Sequence, residues 1–251
     1  MPGEWIERRI PALPDALVDA YVDHVGADRG SYSSSIPPHL FPQWAFAMSG
    51  ELMRGLRYPL LRAMNGGCRL EVRGPIPRGR ELIVRGRLAA VDDDGRRAII
   101  TQRYTTGVEG NTNLLAAEVR VFVPLGRGRG EKARGEKKGV LEVPAGARDL
   151  GGFAASARAG WEFALLTGDF NPVHWSRRYA RVSGFPGTIL HGFGTFARAW
   201  EIARGDRELR VLDARFTRPL SLPNQARVLA DGSSVYVVDR DGVVVMQGSL
   251  G

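Results

Sequence analysis

The spacing of apolar positions along the chain changes twice, and the changes divide it. In Asp15–Val25 the apolar residues Leu17, Val18, Tyr21, Val22 and Val25 recur at close to a helical period. The chain ahead of them, with Pro11 and Pro14, reads as irregular, and residues 30–38 are a Ser/Pro-rich loop. Residues 41–64 read as one or two helices, with Trp44, Phe46, Met48, Leu52, Met53 and Leu56 apolar and Gly50, Gly55 and Pro59 as interruptions. The period then drops to two. Residues 69–73, 81–88, 98–105 and 114–123 read as strands, and Asp94-Gly95 marks a hairpin. In the last strand Ala117, Val119, Val121 and Val123 share one face. Helix first and an antiparallel meander after it is an α+β pattern.

Residues 126–139 have no apolar period and read as a charged, flexible linker. An RGG-like nucleic-acid segment is the alternative, and the lack of interleaved aromatics argues against it. Beyond the linker the pattern starts again. Residues 157–167 and 193–204 read as helices, and residues 211–217, 226–230, 235–238 and 243–247 as strands, with Asp241-Gly242 as a hairpin signal. Aligning Pro75 with Pro219 places Trp44 to Met53 opposite Thr188 to Ala197. Two copies of one α+β unit are therefore expected. Their bounds are 1–125 and 141–251, with the linker at 126–140.

Composition adds little to this picture, and charge somewhat more. The 251 residues are 43% hydrophobic and 25% charged, ordinary for a globular chain. The net charge of +8, mostly Arg, favours an anionic partner or is simply a solvated surface. A single cysteine, Cys68, excludes an internal disulfide and a cysteine zinc site, and its neighbours suggest a buried small side chain. With no signal-peptide core, no apolar run of spanning length and no common address tag in Gln247-Gly248-Ser249-Leu250-Gly251, the expectation is a cytoplasmic protein.

The chemistry concentrates in Gly168-Asp169-Phe170-Asn171-Pro172-Val173-His174 and Ile189-Leu190-His191-Gly192. Pro172 keeps Asn171 out of helical geometry, so the segment bends and a carboxylate and an imidazole can face one point. Such a pair suits general acid–base work, and a turn with Asp169 as a helix cap is the plainer reading. Gly192 opens an apolar helix, where free N–H groups favour an anion or an oxyanion. Asp169, His174 and His191 also offer three metal ligands, but without a recognised zinc spacing. Neither a serine elbow nor a dinucleotide-binding glycine pattern is present.

These residues, with Gly184-Phe185-Pro186-Gly187 between them, resemble the (R)-specific enoyl-CoA hydratase, or MaoC-like dehydratase, family. The resemblance is clear over about residues 158–204 and holds only in outline for the first half. It implies a double hot-dog fold, in which each repeat wraps an antiparallel sheet around a central helix. It also implies hydration of trans-2-enoyl-CoA, or dehydration of (3R)-hydroxyacyl-CoA, within fatty acid metabolism. Asp169 and His174 would hold and activate the water, with Asn171 in support. The N–H of Gly192 would bind the thioester oxygen. His191 and the basic residues Arg177, Arg178 and Arg181 are the candidate substrate contacts, the arginines for the CoA phosphates. Neither metal nor cofactor is expected beyond the CoA carried by the substrate, and neither nucleic acid nor membrane is an expected partner; a homo-oligomer, a dimer, is the expected assembly. The first half lacks the motif, with His24 and His39 outside any matching pattern, so it should be catalytically silent and shape the acyl pocket. A hot-dog thioesterase and a non-catalytic acyl-CoA-binding protein are the rival functions.

Overall fold

The two predicted meanders join into one surface. A computed structural model describes residues 3–126 and 141–251. The first half runs β1 (Ile6–Ile10), α1 (Asp15–Val25), β2 (Ser35–Ile36), α2 (Pro42–Leu52), β3 (Met64–Val72), β4 (Ile76–Pro77), β5 (Leu82–Asp93), β6 (Arg97–Val108) and β7 (Asn111–Pro124). The second runs β8 (Arg148–Ala155), α3 (Ala159–Thr167), α4 (Arg177–Val182), α5 (Gly192–Arg204), β9 (Val211–Phe216), β10 (Asn224–Asp231), β11 (Ser234–Val238) and β12 (Val244–Leu250).

Ten strands form one antiparallel sheet in the order β1-β5-β6-β7-β3-β9-β12-β11-β10-β8, while β2 and β4 pair separately. Read outward from the centre, each half has the same strand order. The seam is the antiparallel pair β3 and β9, with Cys68 opposite Ala214 and Leu70 opposite Leu212, and Arg120 pairs with Asp213 there. Buried side chains make the seam apolar on one face, since Cys68, Leu70, Leu212 and Ala214 are all at most 1% exposed.

Each sheet half has its own helix. In the first, α2 sits on β5 and β6: the Trp44 indole N–H donates to Thr106 Oγ1 at 3.0 Å, and a Cβ on Gly86 would lie 2.4 Å from the Met48 sulfur. Trp44 and Met48 fill this core, whereas Phe46 is 46% exposed and turns away from it. In the second, α5 buries Phe196, Ala197, Ala199 and Trp200 against β8, β9, β10 and β11.

Several expectations need correction. The N-terminus is not irregular, because Ile6–Ile10 forms β1 on the sheet edge against β5. Its Glu7, Arg8 and Arg9 are all exposed, so no alternation marks it; instead they make ion pairs to Arg85, Glu51 and Glu109. Strand β8 and helix α4 also lack a forerunner in the pattern: β8 carries Gly151-Gly152, and α4 is only 6 residues long. Of residues 41–64, only the α2 span is α-helical; Gly55, at φ 85°, and a 3-10 turn at Leu60–Arg62 then lead into β3. The expected linker at 126–140 lies, apart from Gly126, outside the described residues. No helix among those described is long and apolar enough to cross a membrane.

Candidate active site

Helix α3 delivers the motif. It ends at Gly168, whose φ of 79° is the left-handed C-cap that glycine adopts without a Cβ clash, and whose N–H donates to Ala164 O at 2.8 Å. Two Asx turns follow. Asn171 N–H donates to Asp169 Oδ1 at 3.2 Å, and Asn171 Oδ1 accepts from Val173 N–H at 3.3 Å. The second caps a 3-10 turn, Pro172–His174, which turns His174 inward. Asn171 therefore shapes the backbone between the acid and the imidazole, and its side-chain oxygen is used in doing so.

Close packing fixes that turn against α3. A Cβ on Gly160 would lie 2.0 Å from the His174 carbonyl oxygen, so only glycine lets the helix approach this closely. The His174 ring is held from the other side: Nδ1–H donates to Ile189 O at 2.9 Å, which leaves Nε2 as the free acceptor. His191 stacks on it, with centroids 3.5 Å apart and planes at 23°. The Nε2–H of His191 donates to Asp169 O at 3.0 Å and lies 3.9 Å from Asp169 Oδ2.

Asp169, His174 and His191 thus converge, with one ligand-type atom from each within 4.8 Å of the others. Burial dominates their electrostatics. It raises the Asp169 pKa, against the pull of His174, and lowers the His174 pKa, against the Ile189 hydrogen bond and Asp169. The pair is thereby driven toward a protonated carboxyl and a neutral imidazole. His191 is pushed well down by burial and by His174. Beside them α5 starts at Gly192, whose N–H has no carbonyl one turn back in its own helix. A Cβ there would meet the Phe216 ring at 2.8 Å, so the glycine also permits the contact with β9.

The site residues predicted from sequence fall in two places. Asp169, His174, Asn171, His191 and Gly192 are together. His191 is placed differently from the substrate contact expected of it: it is 2% exposed and spends its donor on the Asp169 backbone. Arg177, Arg178 and Arg181 lie on the exposed surface of α4, after the motif, with no ion-pair or hydrogen-bond partner among the described residues. The sequence reading missed an aromatic cluster flanking the motif. Trp161 packs edge-on against Phe170 and Trp175, with centroids 5.8 and 5.6 Å away, and all three are exposed. Their sequence signal was the aromatic at positions 170 and 175, on either side of the acid/base turn.

The family model described as "MaoC like domain" matches residues 154–248. Residues 154–248 form a MaoC-like domain. A second model, "FAS1-like, dehydratase domain region", matches residues 12–112 in the first half. The Neurospora crassa peroxisomal hydratase-dehydrogenase-epimerase is 34% identical over 142 residues, 54% of this chain and 16% of that protein. Mouse peroxisomal multifunctional enzyme type 2 is 29% identical over 173 residues, 66% of this chain and 23% of that protein. The chain thus spans less than a quarter of the length of either relative. The solved structure of HtdX from Mycobacterium tuberculosis superposes with a TM-score of 0.78 at 17% identity, covering 98% of this chain and 99% of that one. The chain has the double hot-dog fold.

Proposed function

We propose that this MaoC-like protein hydrates trans-2-enoyl-CoA, or runs the reverse dehydration of (3R)-hydroxyacyl-CoA, in fatty acid metabolism. The observation that carries the reading is the convergence of half-buried Asp169 and buried His174, with ligand-type atoms of Asp169, His174 and His191 within 4.8 Å of one another, beside the open N-terminus of α5. In this mechanism the two side chains hold one water. Neutral His174 Nε2 takes its proton as the water oxygen bonds to C3. The protonated carboxyl of Asp169 gives a proton to C2, and the proton on His174 then returns to Asp169. The thioester oxygen, enolate-like at that point, accepts from the Gly192 N–H at the positive end of the helix. Atoms balance with water alone, and the proposed steps assign no role to a metal or redox cofactor. The chain's own residues supply acid, base and donor, and the first half supplies none of the three.

CoA phosphates would meet Arg177, Arg178 and Arg181 on α4, with Trp161 and Trp175 beside them. The cytoplasm is the proposed compartment, although three relatives carry "peroxisomal" in their names; imaging the tagged protein decides it. A homodimer is the proposed assembly, and light scattering measures it.

The deciding assay follows the enoyl-thioester absorbance across a panel of acyl lengths. The wild-type chain should bleach it, and Asp169→Asn and His174→Ala should each lower kcat by about a thousandfold or more with unchanged circular dichroism. Full activity in either variant refutes the mechanism. Release of free thiol in place of hydration would identify a thioesterase instead. Exhaustive chelation should leave the rate unchanged; loss that a divalent ion restores would make Asp169, His174 and His191 metal ligands.

A further inference from the structure

Helix α5 carries a charge that the acid/base chemistry does not use. Arg198 is 4% exposed, in the middle of that helix, and no carboxylate lies within ion-pairing distance of it among the described residues. A lone buried cation is costly, by several kcal/mol in general. The next charged residue on the same helix shows the usual remedy: Glu201 accepts from Tyr32, His39 and Arg204. Arg198 has instead a set of neutral acceptors. One guanidinium nitrogen donates to Gly194 O at 2.9 Å, and the other donates to His24 O at 2.8 Å and to His24 Nε2 at 3.1 Å. The plane lies over the Phe153 ring at 5.8 Å.

Two consequences follow from donor counting. A guanidinium has donors only, so His24 Nε2 must be a bare acceptor and the ring proton must sit on Nδ1. That nitrogen faces Glu162 Oε2 at 3.7 Å. The groups around His24 are then Arg198 from α5, Glu162 and the Phe163 ring from α3, with His191 near enough to be felt electrostatically, while Tyr21 is felt by Arg198. Second, the bond to Gly194 O ties the first turn of α5, the turn that begins with Gly192, to the end of α1 in the other half of the chain.

We infer that Arg198, held by His24 of the first half, is a positioning residue for the Gly192 N–H and a fixed positive charge behind the site where the thioester oxygen becomes negative. The inference rests on the proposed hydratase reading. An unneutralised cation set rigidly near developing negative charge lowers the barrier because no reorganisation is needed when the charge forms. An ion-paired arginine would have its field cancelled locally, whereas Glu162 acts on Arg198 only from beyond the His24 ring and forms no ion pair with it. The titration directions agree: burial, then Arg198, holds His24 down to about 4, and burial brings Arg198 down to about 10. The first half is then not wholly silent, since it sets the helix that stabilises the intermediate.

The test compares Arg198→Met, Arg198→Lys and His24→Gln in the full chain, reading kcat and KM for an enoyl-CoA, thermal melting, and the His24 ring titration by NMR. Arg198→Met should lower kcat by about 30-fold with KM within about threefold. Its melting temperature should hold or rise, because an apolar side chain replaces a buried charge. Arg198→Lys keeps the charge but loses the two-sided bridge, and should recover part of the rate. His24→Gln keeps an acceptor and should stay within about fivefold of wild type. In Arg198→Met the His24 pKa should rise. A kcat within twofold of wild type in Arg198→Met, or equal losses in Met and Lys variants with lowered melting, overturns the inference. If Arg198→Met does not fold, Arg198→Lys decides: lowered kcat at unchanged melting supports it, and wild-type kcat overturns it. If the wild-type chain hydrates no enoyl thioester, the hydratase reading fails by itself, and an unmoved His24 titration in Arg198→Met then overturns the coupling separately.

Discussion

The clearest test of how the acid/base turn is held is a single methyl group. In Gly160→Ala the new Cβ would lie 2.0 Å from the His174 carbonyl oxygen, 2.9 Å from its carbonyl carbon and 3.3 Å from its Cβ. Real Cβ atoms essentially never come closer than 3.0 Å, so the gap to the oxygen must open by about an ångström or more. The obstruction is backbone on both sides, a helix and a capped 3-10 turn, and no side chain can rotate to relieve it. The turn is also tied to Ile189 through the His174 ring and through Ile189 N–H, which donates to Val173 O at 3.3 Å. Moving it therefore moves the imidazole away from Asp169. A misplacement of about 1 Å costs on the order of a hundredfold in rate, and overpacking of this kind costs about 1–3 kcal/mol in stability. The assay is steady-state bleaching of the enoyl-thioester band, beside a urea titration. We expect kcat down by about a hundredfold, with KM less affected. A variant within threefold of wild-type kcat would show that the turn yields freely, and that His174 need not be held by packing on α3.

Two further outcomes are expected. Replacing Arg177, Arg178 and Arg181 together by Ala should raise KM for a CoA thioester by about tenfold and leave kcat unchanged, with weaker salt dependence; an unchanged KM removes them from the CoA site. His24 contributes a pH term to stability: its pKa is near 4 in the fold against about 6.5 when unfolded, so the unfolded chain binds the extra proton as pH falls below 6.5. Stability should drop by up to about 3 kcal/mol between pH 6.5 and 4, and denaturant midpoints at the two pH values should differ less in His24→Gln than in wild type. Equal differences in both proteins would mean that His24 does not titrate so low.

The acid/base turn was legible in the sequence because its geometry is local. Gly168, Pro172 and the Asx-forming Asp169 and Asn171 determine their own backbone within seven residues. The meanders were legible for the same reason, since β7 alternates almost perfectly along its 14 residues. The edge strand β1 was not, because its exposed arginines and glutamates replace the apolar alternation that would announce it. The rings of His24 and His39 were set aside for lacking a motif, yet each meets α5 through partners 174 and 162 residues away. No spacing rule reaches that far. What made them findable was the fold: once the halves share a sheet, a polar side chain at the junction must find a partner across it.

The two central helices differ at one atom of consequence. Helix α5 begins with a glycine, Gly192, while α2 begins with a proline, Pro42. Proline has no backbone N–H to offer at that first position. The first half therefore lacks more than an aspartate and a histidine: where α5 opens on a backbone N–H, α2 opens on a ring nitrogen that carries no hydrogen. Introducing the two side chains alone would not make a second centre of the proposed kind, because the start of α2 would still lack its backbone donor.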